Sequence, residues 1–307
     1  MRRTAFALTH KMLYRLAIPV LSRAGPLEPR LLDAYRWATH RSPRMDQFSH
    51  PLASDGFTLY YDQEIPSYTV RGIAMGTYER ATVALIKAMV TPGTTVVDVG
   101  AHIGYFTLLG ASLVGEGGHV WSFEPDPRNR ALLERNITEN DFDDRVTVVP
   151  KAIGADDHIV ALHRDSADSG SSSVYNRDGQ ASGSVPVQMT SLDKWAESSG
   201  WPEIGLMKMD IEGAEDDALT GMGEVISRNP ALSLIVEFNV EALSSAEVSS
   251  NSFLDRLRDA GFDEISVIAE RGLRRLDDRP SEARLARSAR WTPVNLYCRR
   301  RDTIAKG

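Results

Sequence analysis

The stretch Thr95-Val96-Val97-Asp98-Val99, followed by Gly100-Ala101-His102-Ile103-Gly104, constrains this chain more than any other. A run dominated by β-branched residues favours a buried strand. Two glycines then permit a tight turn in which backbone can approach a ligand or a neighbouring element. Tyr105 to Val114 continues as an apolar helix. The alternation persists: His119–Phe123 reads as a strand ending in Glu124-Pro125-Asp126-Pro127, with a helix at about 128–140. Further strands are expected at Val146–Val149, Ile204–Met209, Leu232–Val236, Ile265–Ile268 and Val294–Cys298, and helices at 213–228 and 251–260. Hydrophobic strands alternating with helices predict an α/β fold, a mostly parallel sheet covered on both faces. The final two strands have no long helix pattern between them and are expected as an antiparallel edge.

Upstream, the spacing of Phe6, Leu13, Leu16 and Val20 predicts an amphipathic helix, and Leu31–Trp37 a second one. Phe57–Tyr61 and Ser67–Val70 read as short strands, with Asp55-Gly56 as a turn, and Tyr78 to Val90 as a helix. The chain therefore divides into a helical extension, residues 1–60, serving as a cap or dimer arm, and a ligand-binding domain, residues 61–307. The Ser-, Gly- and Asp-rich segment 163–184 is expected to be a loop between strands.

Composition narrows the function. Residues 1–50 carry 9 Lys/Arg against 3 Asp/Glu and residues 271–307 carry 11 against 4, which leaves the middle of the chain strongly acidic within a net charge of −7. An acidic centre repels polyanions, so a nucleic-acid substrate is disfavoured. The basic ends are read as solvated termini. No uninterrupted apolar run approaches the ~18 residues of a spanning helix, so no integral membrane segment is expected. Lys11 and Arg15 break the apolar N-terminal stretch, against a secretory signal. One cysteine, Cys298, excludes an intramolecular disulfide and a Cys-rich metal cage, in keeping with an expected cytoplasmic location.

Open parallel sheets bind ligands at the carboxyl ends of their strands. Glu124 lies at such an end, 20 residues beyond Gly104, where a carboxylate accepts both hydroxyls of a ribose. A dinucleotide site requires G-x-G-x-x-G facing a pyrophosphate. Here His102 occupies the middle position and Asp98 precedes the first glycine. A carboxylate there opposes a pyrophosphate and suits an ammonium and a sulfonium. S-adenosylmethionine is favoured over a nicotinamide dinucleotide on that electrostatic ground.

Asp98-Val-Gly-Ala-His-Ile-Gly-Tyr-Phe-Thr, Phe123-Glu-Pro-Asp-Pro and Lys208-Met-Asp-Ile-Glu-Gly-Ala-Glu215 resemble the FkbM family of S-adenosylmethionine-dependent O-methyltransferases over roughly residues 70–240. The resemblance implies the class I methyltransferase (Rossmann-like) fold, a seven-stranded, mostly parallel sheet whose last strand runs antiparallel. It implies a cofactor site built from Asp98, Gly100, Ala101, His102, Gly104, Tyr105, Phe106, Glu124 and Pro125. It also implies a hydroxyl acceptor such as a polyketide, sugar or glycoside. The family more often carries Asn where His102 stands. Gly76-x-Tyr-Glu79 is family-like too, and Glu79 is a candidate for the methionyl ammonium of the cofactor.

Methyl transfer to an alcohol requires alignment of the oxygen and removal of its proton. With 206–210 as strand, Lys208 and Asp210 point to one side, and Asp210 sits at the carboxyl tip. Asp210 is the leading catalytic candidate, with Glu212 in the following turn; Glu215 reads equally as favourable helix N-terminal charge. A lone carboxylate is a weak base toward an alcohol, so a partner is expected. His102 is one candidate base. A Mg²⁺ ion held by Asp210 and Glu237 is another route, although two carboxylates alone are a weak metal signal. Two other functions compete: a NAD(P)-dependent oxidoreductase and a non-catalytic nucleotide-binding module.

Overall fold

The computed structural model describes residues 52–61, 65, 67–165, 170, 172–175, 181–277, 279–289 and 293–301. The helices expected within residues 1–50 lie outside the described residues. The described end of the 1–60 extension is not helical. It is a hairpin, β1 (Leu52–Ser54) and β2 (Phe57–Leu59), turned on Asp55-Gly56 with both φ positive, as two-residue hairpin turns require. Phe57 and Leu59 are buried in the same cluster as the first core helices, so this hairpin is continuous with the domain. The strand expected over 67–70 is instead the start of α1 (Ser67–Ala74). Val70 and Ile73 are its buried residues, three apart on one helical face, and a four-residue window could not separate that period from alternation.

After α2 (Arg80–Met89), the α/β core runs β3 (Thr95–Val99), α3 (Tyr105–Val114), β4 (His119–Phe123), α4 (Pro127–Thr138) and β5 (Val146–Val149). An insertion follows, β6 (Ala152–Ile153), β7 (His158–Asp165) and β8 (Ala181–Thr190), a three-stranded sheet in the order β6-β8-β7. The segment 163–184 is thus not purely loop, since β7 and β8 extend into it from both sides. The core resumes with α5 (Leu192–Ser198), β9 (Leu206–Met209), α6 (Glu215–Thr220), α7 (Gly223–Arg228) and β10 (Ser233–Phe238). It ends with α8 (Val240–Ser245), α9 (Ser250–Asp259), β11 (Glu264–Ala269), β12 (Gly272–Arg275), α10 (Arg279–Ala289) and β13 (Val294–Arg299).

The main sheet has eight strands, not seven, in the order β12-β11-β13-β10-β9-β3-β4-β5. Neighbours from β10 through β5 are parallel, whereas β13 runs antiparallel to both β10 and β11. The additional strand is β12, four exposed residues that fold back on β11 through a turn at 270–271 and begin at Gly272 at φ 107°. The antiparallel edge was expected. The helix inside it, α10, was not, because its Arg-rich sequence offers few buried apolar anchors beyond Leu285 and Ala289. The helix expected over 213–228 is two helices, α6 and α7, parted at Gly221. A Cβ at Gly221 would stand 2.4 Å from the Gly154 carbonyl oxygen, so the insertion's first turn packs into the break.

Alternation along the strands sorts side chains onto two faces. Val96, Val120, Leu206 and Ile235 pack with α1 to α4, while Val97, Val99, Phe123, Met207 and Met209 pack with α5 to α10. Asp98 and Lys208 share the first of these faces and are register partners across β3 and β9. Strand order reverses between β3 and β9, which fixes where a ligand cleft opens.

Candidate active site

The loop after β3 is held against its neighbours on every side. Gly100 and Ala101 donate their N–H groups to the Phe123 carbonyl at 3.0 and 2.9 Å. Gly100, His102 and Gly104 have φ of 87°, 52° and 99°, in the left-handed region. A Cβ at Gly100 would lie 1.9 Å from the Asp210 carbonyl oxygen, and one at Gly104 would lie 2.6 Å from Leu133. The two glycines exist for close approach, one to the β9 tip and one to α4.

Glu124 is 5% exposed. One carboxylate oxygen accepts the His102 N–H at 2.7 Å and the other the Asp126 N–H at 2.8 Å. The Asn129 side chain also bonds this carboxylate; with about four lone-pair sites, Glu124 retains acceptor capacity toward the cleft it lines with Gly100, His102 and Pro125. Burial pushes its pKa up to about 8, against the pull of those backbone donors. Asp210 and Glu212 line the cleft opposite Glu124. Leu162 and Val174 of the insertion roof it. The insertion is tied to both walls: Arg164 makes a forked pair with Asp126 at 2.6 Å for each bond, and the Ser173 hydroxyl donates to the Glu212 carbonyl at 2.7 Å.

Six of the residues expected around the cofactor do not line the cleft: Gly104 packs on α4, Glu79 stands just ahead of α2, and four others lie beneath the loop. Asp98, 1% exposed, accepts from the Thr107 hydroxyl at 2.7 Å, and its other oxygen is buried without a partner among the described residues. Burial raises its pKa, with Lys208 opposing. Ala101 and Tyr105 are core residues, the latter donating its hydroxyl to Asp55 at 2.7 Å. Phe106 is buried with its ring 4.5 Å from the Lys208 ammonium.

Lys208, 3% exposed, is the cation of a buried charge group. Its ammonium donates to Asp210 at 2.8 Å. Burial pulls its pKa down, but Asp210, Glu79 and Asp98 outweigh that and hold it up. Glu79, at φ 38° just ahead of α2, accepts from the Asn295 amide at 2.6 Å. Burial raises its pKa and the Lys208 charge opposes the rise. On the other side of Asp210, Glu212 sits at φ 55° and Gly213 at φ 110°. The buried Glu215 fixes this turn by accepting the Ile211 and Gly213 N–H groups, each at 2.9 Å. Burial pushes Glu215 up to about 7.

Asp210, Glu212 and Glu237 each bring one carboxylate oxygen within 4.8 Å of the others. One Glu237 oxygen is sealed from solvent with no partner among the described residues, and burial followed by the charges of Asp210, Glu212 and Glu215 raises its pKa well above the ordinary range. Three hard oxygen donors suit a divalent cation such as Mg²⁺. Residues that sequence reasoning did not find are those that act at a distance in the chain. They include Asn295, from the last strand, and Arg164 and Ser173, from the insertion; for none of these was there a local signal.

The strand order, with its reversal between β3 and β9, defines a doubly wound α/β protein. Residues 98–264 match the Methyltransferase FkbM domain, and the chain belongs to that family. The 2-O-methyltransferase NoeI of Sinorhizobium fredii is 22% identical over 188 residues, 56% of this chain and 74% of that protein. A probable cobalt-precorrin-6B C(15)-methyltransferase (decarboxylating) of Sulfurisphaera tokodaii is 31% identical over 90 residues, 29% of this chain and 47% of that protein. Among solved structures, methyltransferase FkbM from Methylobacillus flagellatus KT aligns at 19% identity with a TM-score of 0.41, covering 78% of this chain and 56% of that one.

Proposed function

We propose that the chain is an O-methyltransferase that moves the methyl group of S-adenosylmethionine to a hydroxyl of a small natural product or sugar. The observation that carries this is the cleft at the β3–β9 crossover, with Glu124 on one wall and Asp210 with Glu212 on the other. The family and its 2-O-methyltransferase relative support the reading. The cofactor supplies an electrophilic methyl group when bound. Glu124 and the Gly100–Gly104 turn would hold its ribose, and Glu79 its ammonium. With its methyl passed to the acceptor oxygen the cofactor would leave as S-adenosylhomocysteine, and Asp210 would take the acceptor's proton. Lys208 holds the Asp210 carboxylate in place, and Glu215 holds the turn carrying Glu212. His102, in the cleft, is a second candidate to relay the proton. A divalent ion would be held by Asp210, Glu212 and Glu237 and would lower the pKa of a bound hydroxyl. Among the described residues no helix is long and apolar enough to cross a membrane; cytoplasmic location and self-association through residues 1–60 remain part of the proposal.

Incubation with methyl-labelled S-adenosylmethionine and a panel of sugars and polyketide alcohols tests the reading. Label recovered in an ether product supports it, and label on carbon or nitrogen alone refutes it. Glu124→Ala should weaken S-adenosylhomocysteine binding by about 1–3 kcal/mol in calorimetry; unchanged affinity would remove Glu124 from the ribose. The raised pKa adds a pH dependence. Between the ordinary carboxyl range and about 8, the folded, unliganded protein holds a proton on Glu124 that the unfolded chain has lost, so stability from this group falls as pH rises through that window. Ribose hydroxyls donate to the ionised form. Binding near pH 7 should therefore release a proton, and affinity should rise toward pH 8, seen as a buffer-dependent binding enthalpy that Glu124→Gln abolishes.

A further inference from the structure

Asn295 joins two parts of the site that are distant in sequence. It lies on β13 directly opposite Glu237 of β10. Its amide nitrogen reaches the Glu79 carboxylate at 2.6 Å and the buried Thr82 hydroxyl at 3.0 Å. A carboxylate in its charged form only accepts, which matches the amide nitrogen facing Glu79. The carbonyl oxygen of Asn295 is then buried with no donor among the described residues. Structures rarely leave such an atom unsatisfied without a compensating requirement. The requirement here is at the other end of the amide. Glu79 stands in left-handed backbone, outside helix α2, with no side-chain capping bond of its own, and burial disfavours its charge. Two of the contacts holding that carboxylate in its charged form are Lys208, acting through its charge, and the Asn295 amide.

We propose that Asn295 is a positioning residue for the cofactor's amino-acid end, fixing the Glu79 carboxylate so that an ammonium meets an ordered acceptor. The proposal rests on the assignment of Glu79 to the cofactor, and it makes β13 a contributor to cofactor selectivity as well as a sheet strand. An aspartate at position 295 would keep the shape, remove the donor and place a second carboxylate against Glu79.

The test uses the full chain and two probes, S-adenosylhomocysteine and adenosine, which lacks the homocysteine end. With Asn295→Asp, affinity for S-adenosylhomocysteine should fall on the order of tenfold while adenosine binds as to wild type; a general loss of structure would weaken both. The exchanged pair Glu79→Gln/Asn295→Asp restores a donor–acceptor bond of reversed polarity, so its loss should be at least threefold smaller than the product of the two single losses. Should the aspartate unfold the protein, Asn295→Ser is the second variant, with a three- to tenfold loss expected for S-adenosylhomocysteine alone. Equal losses for both probes, no loss for either, or losses that simply multiply would overturn the proposal. A wild-type protein that binds neither probe would instead remove the cofactor assignment beneath it.

Discussion

Asp210→Asn is expected to lower turnover on the order of 10²-fold or more, with S-adenosylhomocysteine affinity staying within a few-fold of wild type. The asparagine keeps the side chain's shape and its contact distance to Lys208, but it removes the charge that takes up a proton or holds a cation. Asp210 follows β9 directly, its N–H donating to the Val99 carbonyl at 3.0 Å, so the substitution leaves the backbone of the crossover intact. The loss should therefore appear in turnover and not in binding. Chelator treatment of wild type separates the two routes: activity lost on chelation and recovered with Mg²⁺ indicates a cation on Asp210, Glu212 and Glu237, and activity retained indicates direct proton transfer. Normal turnover of Asp210→Asn with its true acceptor would end the assignment, and His102 would become the first residue to examine.

The second large effect is expected at Gly100. Gly100→Ala places a Cβ 1.9 Å from the Asp210 carbonyl oxygen at a φ of 87°. The obstruction is backbone at the end of a central strand, not the tip of a flexible side chain. Left-handed backbone costs an L-residue about 1–2 kcal/mol, and overpacking of this kind adds about 1–3 kcal/mol. A destabilisation of about 2–5 kcal/mol should lower the midpoint of thermal unfolding by roughly 5–15 °C. It should also push β9 away from the loop, so S-adenosylhomocysteine affinity should fall more than tenfold. A melting temperature within about 2 °C of wild type, with affinity unchanged, would show that loop and strand tip are free to separate.

What the sequence made legible was whatever its local period or punctuation encoded. β3, α3, β4 and β5 lie where β-branched runs and the Gly100 and Pro125 turns place them. Glu124 was found because it is in register with those turns. Features that depend on burial by distant parts of the chain were not legible. Residues 67–74 could be strand or helix until Val70 and Ile73 met the core. α10 is held by few apolar contacts and by the buried Glu282, which accepts from Arg258 at 2.5 Å. Glu215 read equally as helix N-terminal charge or a functional group; its carboxylate bonds the 211–213 backbone just ahead of the helix, a contact no local pattern specifies. Asp98 was expected to face a ligand because it precedes the first glycine, but strand alternation turns it inward to Thr107. That Asp210 and Glu237 meet was legible from adjacent strand tips, but Glu212 as the third member of the group was not, because it depends on the turn that Glu215 holds.

The β3–β9 junction also sets the order in which the molecule can be made. β3 has β4 as an early neighbour, but on its other side Val96 waits for Leu206 and Val99 for Met209, partners that emerge only after the whole insertion has been synthesised. Parallel pairing across such a separation is slow, because loop closure precedes any reward from contact. A nascent chain ending before β9 exposes an unpaired, apolar strand edge, the kind of surface that chaperones recognise and that aggregates without them. The cleft straddles this junction, so it is among the last features to form, and a ligand cannot template the folding that precedes it. Its stabilising effect falls on the finished protein, chiefly by slowing the unzipping of β3 from β9.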